Sequence, residues 1–99
     1  MMELLPNDLA VNLPSLYSTE DENDPTAYVK FFIPDSNWSW YLIEYDPLER
    51  LCFGYVVGFE KELGYFSLGE LENIRGRLGL PVERDLYFTP TLLSVLRQL

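Results

Sequence analysis

Two pairs of carboxylates have the spacing that site chemistry requires. Glu44 and Asp46 lie two residues apart, as do Glu83 and Asp85, and residues i and i+2 of a strand project to one side, so each pair can point into a common site. Carboxylates gathered in this way could ligate a hydrolytic metal ion or divide acid and base roles, given a cleft and shifted pKa values. The supporting groups are missing. The chain has no histidine and a single cysteine, Cys52, and it contains no glycine-rich phosphate loop. Cys52 lies in a strand-like stretch without a base, which makes it a small buried hydrophobe rather than a nucleophile. No catalytic residue, metal site or cofactor is therefore expected. The plainer roles are a turn stabilised by Asp46 and a salt bridge from Arg84.

A second constellation is aromatic. Trp38, Trp40, Tyr41 and Tyr45 fall within eight positions, and aromatics left exposed concentrate binding energy at protein interfaces; packing in the core is the competing fate. A third is acidic: Glu20, Asp21, Glu22 and Asp24 crowd one short stretch. A calcium loop would need a further ligand where Pro25 falls and a glycine that does not follow, so a solvated loop is expected there.

The elements that must position these groups centre on residues 38–80. Trp38–Tyr45 is rich in aromatic and β-branched residues without a helical stripe, and reads as a strand ended by Asp46-Pro47. Leu51–Phe59 reads as the next, with Leu51, Phe53, Tyr55, Val57 and Phe59 on one side and Cys52, Gly54, Val56 and Gly58 on the other. Two strand glycines mark a bulge or a close approach. An indole from Trp38 or Trp40 is the expected occupant, a bound ligand the alternative. Tyr65-Phe66 makes a short third strand. Ser67 with Glu70 forms a capping-box pattern opening a helix over Ser67–Leu78, whose Leu68, Leu71, Ile74 and Leu78 share a face before Gly79 and Pro81 end it.

Upstream, Asn7 can cap a turn or two of helix before Pro14, and Tyr28–Ile33 reads as a strand whose bordering Pro25 and Pro34 favour an edge position. Downstream, Val82–Phe88 looks extended, and Thr89-Pro90 opens a C-terminal helix with Leu92, Leu96 and Leu99 on one face and Leu93 beside them. The expected fold is α+β: an antiparallel sheet of about four strands packed against one capped helix, with the C-terminal helix nearby, in a single domain over residues 1–99.

Composition bounds the partners. Ninety-nine residues, 47% hydrophobic and 15% aromatic, support one core. Sixteen acids against seven bases give a formal charge of −9, which repels nucleic-acid phosphates and anionic membranes and attracts basic proteins. Direct nucleic-acid binding is disfavoured. No apolar run is long enough to span a membrane, and residues 1–6 lack a basic leader region and a long apolar core. A cytoplasmic protein is expected, and one cysteine demands no oxidising compartment.

Several strings occur in an order that resembles a known family: Leu13-Pro14-Ser15-Leu16-Tyr17-Ser18-Thr19-Glu20, Val29-Lys30-Phe31-Phe32, Trp38-Ser39-Trp40-Tyr41, Glu44-Tyr45-Asp46, Phe53-Gly54 with Gly58, Leu63-Gly64-Tyr65-Phe66-Ser67-Leu68 and Glu83-Arg84-Asp85-Leu86-Tyr87-Phe88. Together they are similar to a family of small bacterial proteins known as a domain of unknown function and carried on plasmids, phages and integrative elements. The resemblance spans most of residues 13–88. It implies no activity, cofactor or catalytic residue, and it places no site at Glu20–Asp24, where members vary in length.

The mobile-element setting implied by that resemblance, joined to the charge, points to a non-enzymatic acidic interaction module whose partner has a basic surface. Its specific form would be a nucleic-acid mimic that inhibits a host defence nuclease, of anti-CRISPR or anti-restriction type. Trp38, Trp40, Tyr45, Glu44, Asp46, Glu83 and Asp85 are the expected contact residues. The alternatives are a small metal-assisted hydrolase using Glu44, Asp46, Glu83 or Asp85, and an accessory subunit docking through Trp38 and Trp40.

Overall fold

The computed structural model describes residues 2–99; Met1, the start of the residue 1–6 reading, lies outside them. After a short helix, α1 (Asn7–Ala10), come β1 (Thr26–Ala27), β2 (Val29–Phe32), β3 (Ser39–Asp46), β4 (Leu51–Val57) and β5 (Lys61–Ser67). The chain then forms α2 (Leu68–Asn73), β6 (Glu83–Arg84), β7 (Thr91–Leu92) and α3 (Leu93–Leu96). An antiparallel sheet of five strands has the order β5-β4-β3-β2-β6, and β1 pairs separately with β7.

The class is α+β and antiparallel, as expected, but the sheet has one strand more than expected and β2 is interior. Pro25 and Pro34 lie outside the paired segment, so neither removes a donor from it, and β2 pairs with β3 on one side and with β6 on the other. Of the extended stretch expected over Val82–Phe88, only Glu83 and Arg84 are in a strand.

Each face of the sheet has its own core. Val29, Phe31, Trp40, Leu42, Tyr45 and Cys52 pack beneath Leu4, Leu5, Leu68, Leu71 and Val82, while Tyr41, Ile43 and Tyr55 pack on the opposite side against Ala27, Leu93 and Leu96. A central strand covered on both faces must be apolar on both, which is why six consecutive residues of β3, from Trp40 to Tyr45, are buried.

The glycine-spaced strand ends at Val57, so Phe59 lies beyond it, 95% exposed. A side chain at Gly58 would run into the Trp38 indole, as expected of an aromatic covering a strand glycine. Gly54 answers to a different constraint. A Cβ there would overlap the carbonyl oxygen of Tyr41, beside the bulge that shifts the β3–β4 register between Leu42 and Glu44.

The helices are shorter than the leucine spacing suggests. Ser67 Oγ accepts the Glu70 N–H at 3.2 Å, forming the serine half of the capping box, but α2 ends at Asn73 and Leu78 is 81% exposed. Leu78 N–H, which a continued helix would use internally, instead donates to Asp35 Oδ2 at 2.6 Å. Gly76 fits against the same aspartate, where any Cβ would collide with it, and Gly79 turns the chain at φ +82°. At the C-terminus Thr91 and Leu92 pair with Ala27 and Thr26. The helix therefore starts at Leu93, and Leu92 and Leu99 are exposed instead of sharing a buried face. Asn7 opens α1 as its first helical residue and not as its cap.

Candidate protein-binding surface

The seven expected contact residues do not form one site. Trp40 and Tyr45 are 5% and 6% exposed and belong to the core, because β3 has no free face. Glu44 is buried as well, at 2% exposed. Asp46 holds the β3–β4 turn by accepting the Leu48 N–H at 3.0 Å, the role anticipated for it. Glu83 stands opposite Phe32. Asp85 accepts the Tyr87 N–H at 2.9 Å and lies 4.0 Å from Lys30 Nζ. Among the described residues Arg84 forms no carboxylate pair; its guanidinium donates to the carbonyls of Glu3 and Leu4, at 2.8 Å each, and pins the N-terminal segment to β6.

This placement dissolves the four-carboxylate site. Glu83 is two strands away from β3, roughly 10 Å across the sheet, in the row of Ser39 and not in that of Glu44 or Asp46. Among the described residues no group of three or more Asp, Glu, Cys or His side chains is arranged to hold a metal ion.

Trp38 alone of the seven anchors an open aromatic surface. Its ring lies 5.8 Å from that of Trp40 and meets the edge of Phe59 at 5.3 Å. It lines three clefts, of about 360, 530 and 260 Å³, bordered by Arg75 and Arg77 on one flank and by Glu60 and Glu62 on the other.

The second surface is built around Glu44 by residues to which the sequence assigned no binding role. Because β3 bulges after Leu42, Glu44 joins Ile43 on the α3 side of the sheet while Tyr45 turns to the opposite core. There the Glu44 carboxylate accepts the N–H of Tyr17 at 2.7 Å, the N–H of Thr19 at 2.9 Å and the Thr19 hydroxyl. Tyr17, at φ +69°, is held in the left-handed region by this grip and by Pro14, whose carbonyl accepts the Tyr45 N–H at 2.9 Å.

Fixing residues 17–19 builds a cleft of about 280 Å³ above Glu44, walled by Tyr17, Phe53, Leu63 and Tyr65 and rimmed by Glu20 and Glu22. Arg97 also lines it. The ring centroids of Phe53 and Tyr65 are 5.0 Å apart and those of Tyr17 and Tyr65 6.4 Å. Tyr65 has its hydroxyl pKa raised, first by loss of solvent and then by Tyr17 and the negative charges of Glu44 and Glu20. The cleft thus combines π-faces with negative potential, the combination that receives a cation.

Ser94 donates twice to the neighbouring Asp24, from its N–H at 2.8 Å and its hydroxyl at 2.7 Å, which lowers the carboxyl pKa below its ordinary value. The acidic stretch is anchored at Asp24, while Glu20, Asp21 and Glu22 are exposed, as expected of a solvated loop. Its only signal in the sequence was the density of acids. The pairing with Phe53, Leu63 and Tyr65 is long-range and left none.

No helix among the described residues is long and apolar enough to cross a membrane. No curated protein and no solved structure matches the chain. The family model described as "Protein of unknown function (DUF2958)" matches residues 3–97, nearly the whole chain and more than the stretch in which the resemblance was read, and the protein belongs to that family.

Proposed function

We propose that the protein is a non-enzymatic interaction module that captures a basic surface of a partner protein, with the Tyr17–Phe53–Tyr65 cleft receiving a lysine or arginine side chain. The observation that supports this is the joining of aromatic walls and acidic rim in one cleft over the buried Glu44. Its volume, near 280 Å³, is below the ~300–1,000 Å³ usual for small-molecule sites and suits a single side chain. The overall charge of −9 steers such a partner to it. The mobile-element setting implied by the family resemblance makes a host nucleic-acid-handling enzyme in the cytoplasm the partner class, and inhibition of a defence nuclease the outcome, with Glu20, Asp21 and Glu22 taking the place of phosphates.

The test is affinity capture from bacterial lysate with the wild-type chain and a Glu20→Gln/Glu22→Gln variant, at low and high salt, followed by activity assays on each captured nuclease. A basic protein held at low salt, released at high salt, lost with the variant and inhibited by the wild-type chain is the expected result. Capture that ignores both salt and the variant would overturn it.

A separate observation favours an accessory subunit. Phe59, 95% exposed against the edge of Trp38, is the kind of aromatic anchor that concentrates interface energy. Phe59→Ala would then abolish capture that the acidic-rim variant leaves intact.

A further inference from the structure

We infer that β5 is a self-pairing edge: two copies of the chain join antiparallel through Lys61–Ser67 about a two-fold axis at Gly64, fusing their five-stranded sheets. The outer flank of β5 is open. Among the described residues no backbone group of residues 61–67 bonds outside the ladder with β4. Soluble proteins ordinarily guard such an edge with charge, proline or a bulge. Here the only charges are at Lys61 and Glu62, no proline occurs, and the strand pairs with β4 residue for residue without a register shift. The opposite sheet edge, β6, is only two residues long, and the Arg84 side chain ties it to the N-terminal segment.

Gly64 lies at the middle of this strand, and a Cβ built on it would meet nothing within 4 Å, so the position can be substituted without disturbing the monomer.

The register about Gly64 is self-complementary. Gly64 faces Gly64 of the other copy, Leu63 faces Tyr65, Glu62 faces Phe66 and Lys61 faces Ser67, so no like charges are opposed across the seam and the apolar pair forms twice. That absence of charge conflict favours a second copy over a basic strand from another protein. The net charge of −9 on each copy opposes association at long range and is screened by salt. Self-pairing therefore strengthens with salt, whereas capture of a basic partner weakens, so the two proposals fail separately.

Sedimentation equilibrium of the full chain at low and high salt is the test, with two variants at the axis. Gly64→Glu sets like charges face to face without touching the monomer's packing, so dimerisation is expected to weaken by about tenfold or more while the thermal midpoint of the monomer holds. Gly64→Cys brings two thiols to facing positions, where antiparallel Cα separations of ~4.5–5.5 Å permit a disulfide. A cross-linked dimer on mild oxidation is expected, with the wild-type chain, whose Cys52 is buried, giving none. A wild-type chain that stays monomeric at every concentration and salt, or a dimer indifferent to Gly64→Glu and not trapped by Gly64→Cys, would overturn the inference.

Discussion

Glu44 Oε1 accepts the backbone N–H of Tyr17 at 2.7 Å across 27 positions of sequence. With Thr19 bound to the other oxygen, a charge that looked available to a partner is consumed in fixing the loop that makes the acidic–aromatic cleft. Glu44→Ala leaves three partly buried donors without their acceptor, and about 2 kcal/mol or more of stability should be lost. Glu44→Gln, which turns an NH₂ toward donors, should cost about 2 kcal/mol. Urea unfolding followed by tryptophan fluorescence checks both; an unchanged midpoint for Glu44→Ala would show that the loop does not depend on this carboxylate.

The two glycines of β4 should respond unequally to the same added methyl. At Gly54 the obstacle is the Tyr41 carbonyl of the central strand, which cannot move without breaking the ladder, so Gly54→Ala should cost about 3 kcal/mol or more. At Gly58 it is the rim of the half-buried Trp38 indole, which can tilt. Gly58→Ala should cost about 1 kcal/mol and shift the tryptophan emission. Equal destabilisation of the two variants would contradict this account of the bulge.

The residues show how far the sequence reached. The strands over residues 38–57 and the Ser67 cap were legible because both are local patterns, and so was the covering of Gly58 by an indole; the third strand was not, since Lys61–Gly64, polar and glycine-ended, belong to β5 and only Tyr65-Phe66 read as extended. Helix ends were not: α2 stops at Asn73, where Ile74 is already extended, and Leu78, expected on its buried face, donates its N–H to Asp35 from 43 positions away. Trp40, Tyr45 and Glu44 read as surface candidates because aromatic and acidic side chains look alike in sequence whether a sheet is covered on one face or on two. The cleft itself depends on a bulge that reverses the alternation at Glu44, and a period of two cannot announce its own interruption.

Asp24 predicts an acid-sensitive C-terminus. Ser94 donates to its carboxylate from the N–H and the hydroxyl, which lowers its pKa in the folded chain, while Leu92 gives α3 no side-chain cap. A lowered folded-state value means that the unfolded chain takes up the proton first as pH falls. The stabilisation is thus whole above the ordinary aspartate range and disappears as pH drops through the lowered value. Asp24→Asn should be less stable than wild type at neutral pH, with the two thermal midpoints converging in acid. Amide exchange at residues 94–97 should quicken in the variant, and midpoints that stay equally separated down to the acid limit would exclude this origin.

Cys52 offers a direct reading of how tightly the core is closed. It is fully buried between the sheet and α2, and desolvation pushes its thiol up to about 12 even though Arg50 pulls the other way. At pH 8 the folded protein then holds almost no thiolate, and an aromatic disulfide reagent can react only with molecules that have opened. Labelling should be slow in native buffer, accelerate with sub-denaturing urea, and accelerate further in Glu44→Ala if loss of the Tyr17 contact loosens the end of β3. Immediate stoichiometric labelling of the native wild-type chain would mean that the strand opens on its own, and that the core around Tyr45 and Leu71 does not seal it.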